Sequence, residues 1–237
     1  MKPNPNLFWE QVQKQYTVDL AVALVQKSYH LKNHLYFQWM RNPKTTRDGF
    51  RQSQVPFRYA AESHAQALAA VLAHIPHVDL RMKLARNVAY EHGMGKEQAT
   101  NKGRFVGYLR QLGATDEEIA LPCPVEVRAF AQSILNFALI SPYEAGAAMV
   151  GIIEILFVSV SLMTKEAVLD REWITDGSEL YSLHEESDLE HAQALLELAE
   201  PGWTAPRTRD NIAQGILLGA HWVWTLYNQL LPELEEA

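Results

Sequence analysis

Twenty consecutive residues, Ala145 to Thr164, carry a single charge, Glu154 at their middle, and this run constrains the fold more than any other stretch. As a helix it would be about 30 Å long, enough to cross a bilayer or to form the centre of a helical protein. Its flanks favour the second. Ser141-Pro142-Tyr143-Glu144 reads as a soluble helix start, with Ser141 as N-cap, Pro142 at N1 and Glu144 closing a capping box. Lys165, Glu166, Asp170, Arg171 and Glu172 continue the helix beyond the apolar run. The expectation is a buried central helix with no membrane span, and a lone glutamate inside it.

Almost every other segment repeats its apolar residues at a period near 3.6, and none alternates as a strand would, so the fold class is all-α. Breaks at prolines and in apolar periodicity place helices over 7–28, 30–41, 46–74, 79–112, 115–120, 125–140, 142–171, 177–200 and 207–231. Pro56 should kink the third of these or mark its true start. Gly215 and Gly219, four apart, suggest close approach of another helix. With 48% hydrophobic and 21% charged residues the chain can bury a large core, and no linker-like stretch divides it, so residues 1–237 read as one helical domain. Net charge is −7 and no lysine or arginine block reaches five residues, which argues against a nucleic-acid partner. Cys123 is the single cysteine, so neither a disulfide within the chain nor a thiolate metal cluster is available. The N-terminus lacks an apolar signal core. Together these point to a reducing, cytoplasmic setting.

The chemistry-bearing pattern is His184, Asp188 and His191. At i, i+4 and i+7 they fall within roughly a 60° arc of one helix. Leu180, Leu195 and Leu198 continue that stripe, while Glu185, Glu186, Glu190, Gln193, Glu197 and Glu200 fall around the rest of the cylinder. Buried imidazoles and carboxylates need partners, and a metal ion compensates all three together. The plainer reading is a hydrogen-bonded core network. Helical bundles build metal sites from inward carboxylates and histidines on several helices. Three more carboxylates suit that role: Glu154, Glu91 in Tyr90-Glu91-His92-Gly93, and Glu62 in Ala61-Glu62-Ser63-His64. Their plain alternatives are a salt bridge to an arginine for Glu154 and a solvent-facing side chain for Glu62. The other histidines, His64 among them, read as surface or locally bonded residues. Glu62, Glu91, Glu154 and Asp188 carry −4 together, which matches two divalent ions. Mixed carboxylate and imidazole donors without thiolates suit iron or manganese better than structural zinc.

A helix with Glu62, the Glu91-His92-Gly93 box, a glutamate in an apolar helix and then His184-x3-Asp188-x2-His191 resembles the heme-oxygenase-like diiron oxidases. It is most similar to the iron-containing redox enzymes of that superfamily, whose fold is shared with TenA-like proteins. Phe50-Arg51-Gln52-Ser53-Gln54-Val55-Pro56-Phe57 also looks like that group. The resemblance covers roughly residues 30 to 200. It implies a heme-oxygenase-like bundle of about seven to nine helices, often a homodimer. One or two Fe(II) ions would activate O2 to oxidise or fragment a small organic substrate, with Glu62, Glu91, Glu154, His184, Asp188 and His191 as ligands. One position departs: Asn101 stands in the turn where the family has a histidine, and His92 is the nearest substitute. Relatives on the same fold supply other readings. A true heme oxygenase would use His30 or His34 as axial ligand, and a thiaminase-like enzyme would use Cys123 as nucleophile. A para-aminobenzoate-forming relative would use Tyr36 and a lysine near Lys165. A decayed site kept for binding alone is the non-enzymatic alternative.

Overall fold

A computed structural model describes residues 2–174 and 178–232, with side chains described for 2–174 and 189–232. Among the described residues the chain is all-α, its sole β feature being an isolated bridge between His92 and Thr100. The elements are α1 (Pro5–Gln13), α2 (Val18–Ser28), α3 (Leu35–Arg41), α4 (Arg47–Gln54), α5 (Arg58–His74), α6 (Val78–Glu91), α7 (Asn101–Gln111), α8 (Asp116–Ile119), α9 (Val125–Ile140), α10 (Tyr143–Leu169), α11 (Ser178–Ala199) and α12 (Pro206–Leu230). Segments expected as single helices divide, which takes the number above the seven to nine foreseen. Thr17 caps α2 by accepting from Leu20 N–H, so 7–28 becomes two helices. Pro56 sits in a 3-10 turn, Val55–Phe57, that separates α4 from α5.

The helix expected over 79–112 breaks most sharply. Gly93, Met94 and Gly95 take φ of 66°, 51° and 84°, a left-handed run that no helix can continue through. A Cβ on Gly93 would lie 2.6 Å from the Thr100 amide nitrogen, so only glycine fits there. The chain doubles back and α7 starts at Asn101 with Thr100 as its N-cap. The far end of α6 and the first residue of α7 are thereby brought face to face.

The apolar run becomes α10, the axis of the molecule, packed along its length by α11 and α12 and flanked by α5 and α9. It is long and apolar enough to cross a membrane, yet 72% of its most apolar window is buried inside the protein. Its start differs from expectation, since Pro142 occupies the N-cap position and no side chain caps the helix. Gly215 and Gly219 let α12 lie directly on α10: a Cβ at 215 would meet Ala145 O at 2.4 Å, and one at 219 would meet Met149 O at 2.7 Å. One hydrophobic cluster runs from α1 to α12.

Candidate metal centre and substrate pocket

A cavity lies between α5, α7 and α10, with the ends of α4, α6 and α12 closing it. Phe57, Ala60, Ala61 and His64 face it from α5 and the turn before it, at the i, i+3, i+4, i+7 spacing of one helix face. Glu154, Phe157, Val160, Ser161 and Thr164 line it from α10 in the same way. The alanines leave the space that the three phenylalanines, Phe57, Phe105 and Phe157, wall in. Phe57 touches the other two rings at centroid distances of 5.1 and 5.7 Å.

Two carboxylates reach this space, and both are buried: Glu91 is 3% exposed and Glu154 4%. Glu154 Oε1 lies 2.8 Å from His64 Nε2. Glu91 Oε2 accepts a 2.8 Å hydrogen bond from Asn101 Nδ2 across the sharp turn. Asn101 thus offers a donor to Glu91, where a histidine would offer a lone pair to a metal. His191, half-buried on α11, rests edge-on against the ring of Tyr90, the neighbour of Glu91, at 5.6 Å between centroids.

Of the residues singled out from sequence, Glu91, Glu154 and Asn101 share the cavity and His191 approaches it through Tyr90. Glu62 does not join them. Its carboxylate is 40% exposed and pairs with Lys102 Nζ at 2.9 Å, outside the cavity. The side chains of His184 and Asp188 lie outside the described residues, although the backbone at both positions is helical in α11. His64 is the residue that sequence reasoning passed over. The usable signal was its spacing from Phe57, Ala60 and Ala61, which sets it on the face opposite Glu62.

Three residues of the other catalytic readings, His34, Cys123 and Tyr36, are engaged or placed otherwise than those readings need. His34 donates Nε2–H to Trp224 O at 3.0 Å and accepts Tyr36 N–H at Nδ1, so neither ring nitrogen is available to haem. Burial holds its imidazole below the usual histidine range, in keeping with the neutral tautomer. Burial pushes the Cys123 thiol up, the opposite of what a nucleophilic cysteine needs. Tyr36 is sealed in the core, its hydroxyl 2.9 Å from Ser53 Oγ and hydrogen-bonded by Gln54, and burial raises its pKa far above that of free tyrosine.

The sequence profile of the iron-containing redox enzymes matches residues 57–224, which include the whole cavity wall from Phe57 to Thr164. The chain belongs to the iron-containing redox enzyme family. No curated protein is detectably similar to it in sequence. Its fold is that of TenA-like proteins. It superposes on a TenA homologue from P. horikoshii OT3 with a TM-score of 0.67 at 13% identity, covering 90% of this chain and 98% of that one. On a TenA homologue from Pseudomonas syringae pv. tomato DC3000 the TM-score is 0.69 at 14% identity, over 92% and 94% of the two chains.

The cavity's donors suit the iron that the family name implies. Two buried carboxylates and an imidazole, with no thiolate, are the oxygen and nitrogen set that iron accepts. Among the described residues no group of three or more histidine, cysteine, aspartate or glutamate side chains is close enough to hold an ion. The fit is therefore one of donor chemistry, with α10 and α6 supplying the carboxylates and α11, packed against both, carrying the remaining candidates.

Proposed function

We propose that this protein is a non-haem iron oxidoreductase that uses O2 to oxidise or fragment a small organic substrate bound in the aromatic cavity. The observation that carries the reading is Glu154: a carboxylate in the most apolar helix of an iron-containing redox family member, buried beside His64 in the same cavity as Glu91. A buried carboxylate of this kind costs several kcal/mol unless its charge is met, which a bound metal ion would do. Glu91, Glu154, His184, Asp188 and His191 would hold the iron as Fe(II). When bound, the metal supplies the one-electron chemistry with O2 that amino-acid side chains lack.

The chain's own residues supply the rest. Phe57, Phe105 and Phe157 bind and orient an apolar or aromatic body and exclude water from the reacting end. Gln54, Ser161 and Thr164 add hydrogen-bonding groups along the wall. Among the described lining residues there is no lysine or arginine. Glu62 is engaged by Lys102, so the described cavity carboxylates are Glu91 and Glu154. The setting is a reducing compartment, in keeping with a chain whose single cysteine is free.

The test is anaerobic reconstitution with Fe(II), followed by desalting, metal analysis and O2 uptake by the loaded protein. Wild type should retain iron and consume O2, and a His184→Ala, His191→Ala double variant should do neither. Equal iron retention by the two proteins would end the metalloenzyme reading and leave a binding protein of the same fold.

A further inference from the structure

We propose that the ligand α5 contributes to the iron site is His64, through Nε2, and that Glu62 is a surface residue with no part in it. The proposal rests on the reading of the cavity as an iron site and changes which residues build it.

Helix geometry makes the choice exclusive. Residues two apart on a helix point about 200° away from one another, so α5 cannot turn Glu62 and His64 to the same side. The cavity face of α5 is set by Ala60, Ala61 and His64, and His64 is 6% exposed. Glu62 is on the other side, half-exposed and held by Lys102.

The contact with Glu154 has the dimensions of two donors that share an ion. Ligand atoms about 2.1 Å from one metal stand roughly 3 Å apart when the angle between them is near 90°. His64 Nε2 and Glu154 Oε1 are 2.8 Å apart, on helices that bury both side chains. A proton can occupy such a gap in the absence of metal, and a divalent ion can replace it in the loaded protein.

Chemistry points the same way. Asn101, on the wall formed by α7, has its amide turned as a donor to Glu91 and so offers no lone pair from that nitrogen. Among the described lining residues His64 is the only imidazole. As a neutral donor it adds a bond without adding charge to the carboxylates already there.

The experiment is an anaerobic Fe(II) titration of wild type, His64→Ala, His64→Gln and Glu62→Gln, with circular dichroism melting of each metal-free protein. Glutamine at 64 keeps an N–H to donate to Glu154 but cannot replace imidazole as a ligand. Affinity should fall about tenfold or more in both His64 variants and stay within about twofold of wild type in Glu62→Gln. Added imidazole should restore iron binding to His64→Ala. Wild-type affinity in His64→Gln, or a loss in Glu62→Gln equal to that in His64→Ala, overturns the proposal. A second readout needs no substitution: in the wild-type protein, deuterium exchange at the imidazole carbon between the ring nitrogens, read by mass spectrometry, should slow at His64 on metal loading. Unchanged exchange at His64 in iron-saturated protein also overturns it. If wild type itself takes up no iron, the iron reading of the cavity fails, an outcome distinct from iron uptake that ignores His64.

Discussion

His34 spends both ring nitrogens inside the fold, one on the Trp224 carbonyl and one on the Tyr36 amide at the start of α3. Its folded pKa lies below the 6.5 of the free side chain because burial disfavours the charged ring. The sign follows from linkage: the unfolded chain takes up the proton first, so His34's contribution is fully present above about pH 6.5 and is lost as pH falls toward the folded value. Unfolding free energy measured by urea titration should therefore drop between pH 7 and 5 more steeply in wild type than in His34→Gln. The variant should also be about 1–3 kcal/mol less stable at neutral pH, through buried groups left unpaired. Parallel pH profiles would remove His34 from the account. Asn101 gives the second prediction at this scale. Asn101→His exchanges a donor to Glu91 for a metal-binding lone pair, and iron content after anaerobic loading should rise. Unchanged stoichiometry would mean that position 101 is not a ligand position in this chain.

Glycines act in two ways at the scale of elements, one at the cavity and one between the central helices. The left-handed run at Gly93, Met94 and Gly95 reverses the chain, and Glu91 and Asn101 meet only because of it. Gly93→Ala would put a Cβ against the Thr100 nitrogen in a backbone region alanine avoids, at a cost of about 1–3 kcal/mol. It should also weaken iron binding, because the Glu91 hydrogen bond spans the displaced turn. Denaturant unfolding and metal titration of the same variant check both, and a fully stable variant with unaltered binding would show that the turn does not hold the site. Packing of α12 on α10 is the other case. In an exposed helix Gly→Ala gains roughly 1 kcal/mol. At Gly215 the added methyl would meet Ala145 O at 2.4 Å, so Gly215→Ala should lose about 1–3 kcal/mol in urea unfolding. A gain in stability would mean that the two helices can move apart freely.

The whole molecule surrounds α10 with helices and leaves a single carboxylate of that helix, Glu154, in the cavity. Ions that bind only the folded state add to its stability by mass action, about 2.7 kcal/mol at a hundred times the dissociation constant. For a domain of this size that corresponds to a rise in Tm of about 5–10 °C. Anaerobic melting with and without Fe(II) reads it directly, and His184→Ala, His191→Ala should abolish the rise. An identical Tm in both conditions would count against any specific metal site.

The fold class was legible in the sequence because helical periodicity and proline breaks are local: α9 falls on 125–140 as expected, and α11 and α12 within a residue or two. Glu154 was legible for a related reason, since a charge in an apolar stripe is conspicuous without any knowledge of its partners, whereas Glu91 stood out through the resemblance of its Glu91-His92-Gly93 box. What the tertiary structure alone decided is which charges meet. Glu62 and His64 are two residues apart and equally plain as text, and the cavity takes His64 while Lys102, from another helix, takes Glu62. The joining of Glu91 to Asn101 was equally hidden, because it depends on positive φ angles that the periodicity of 79–112 ran straight through. Helix formation is written in neighbours a turn apart, whereas a site is made by side chains from distant segments. Their distances are set by how helices pack.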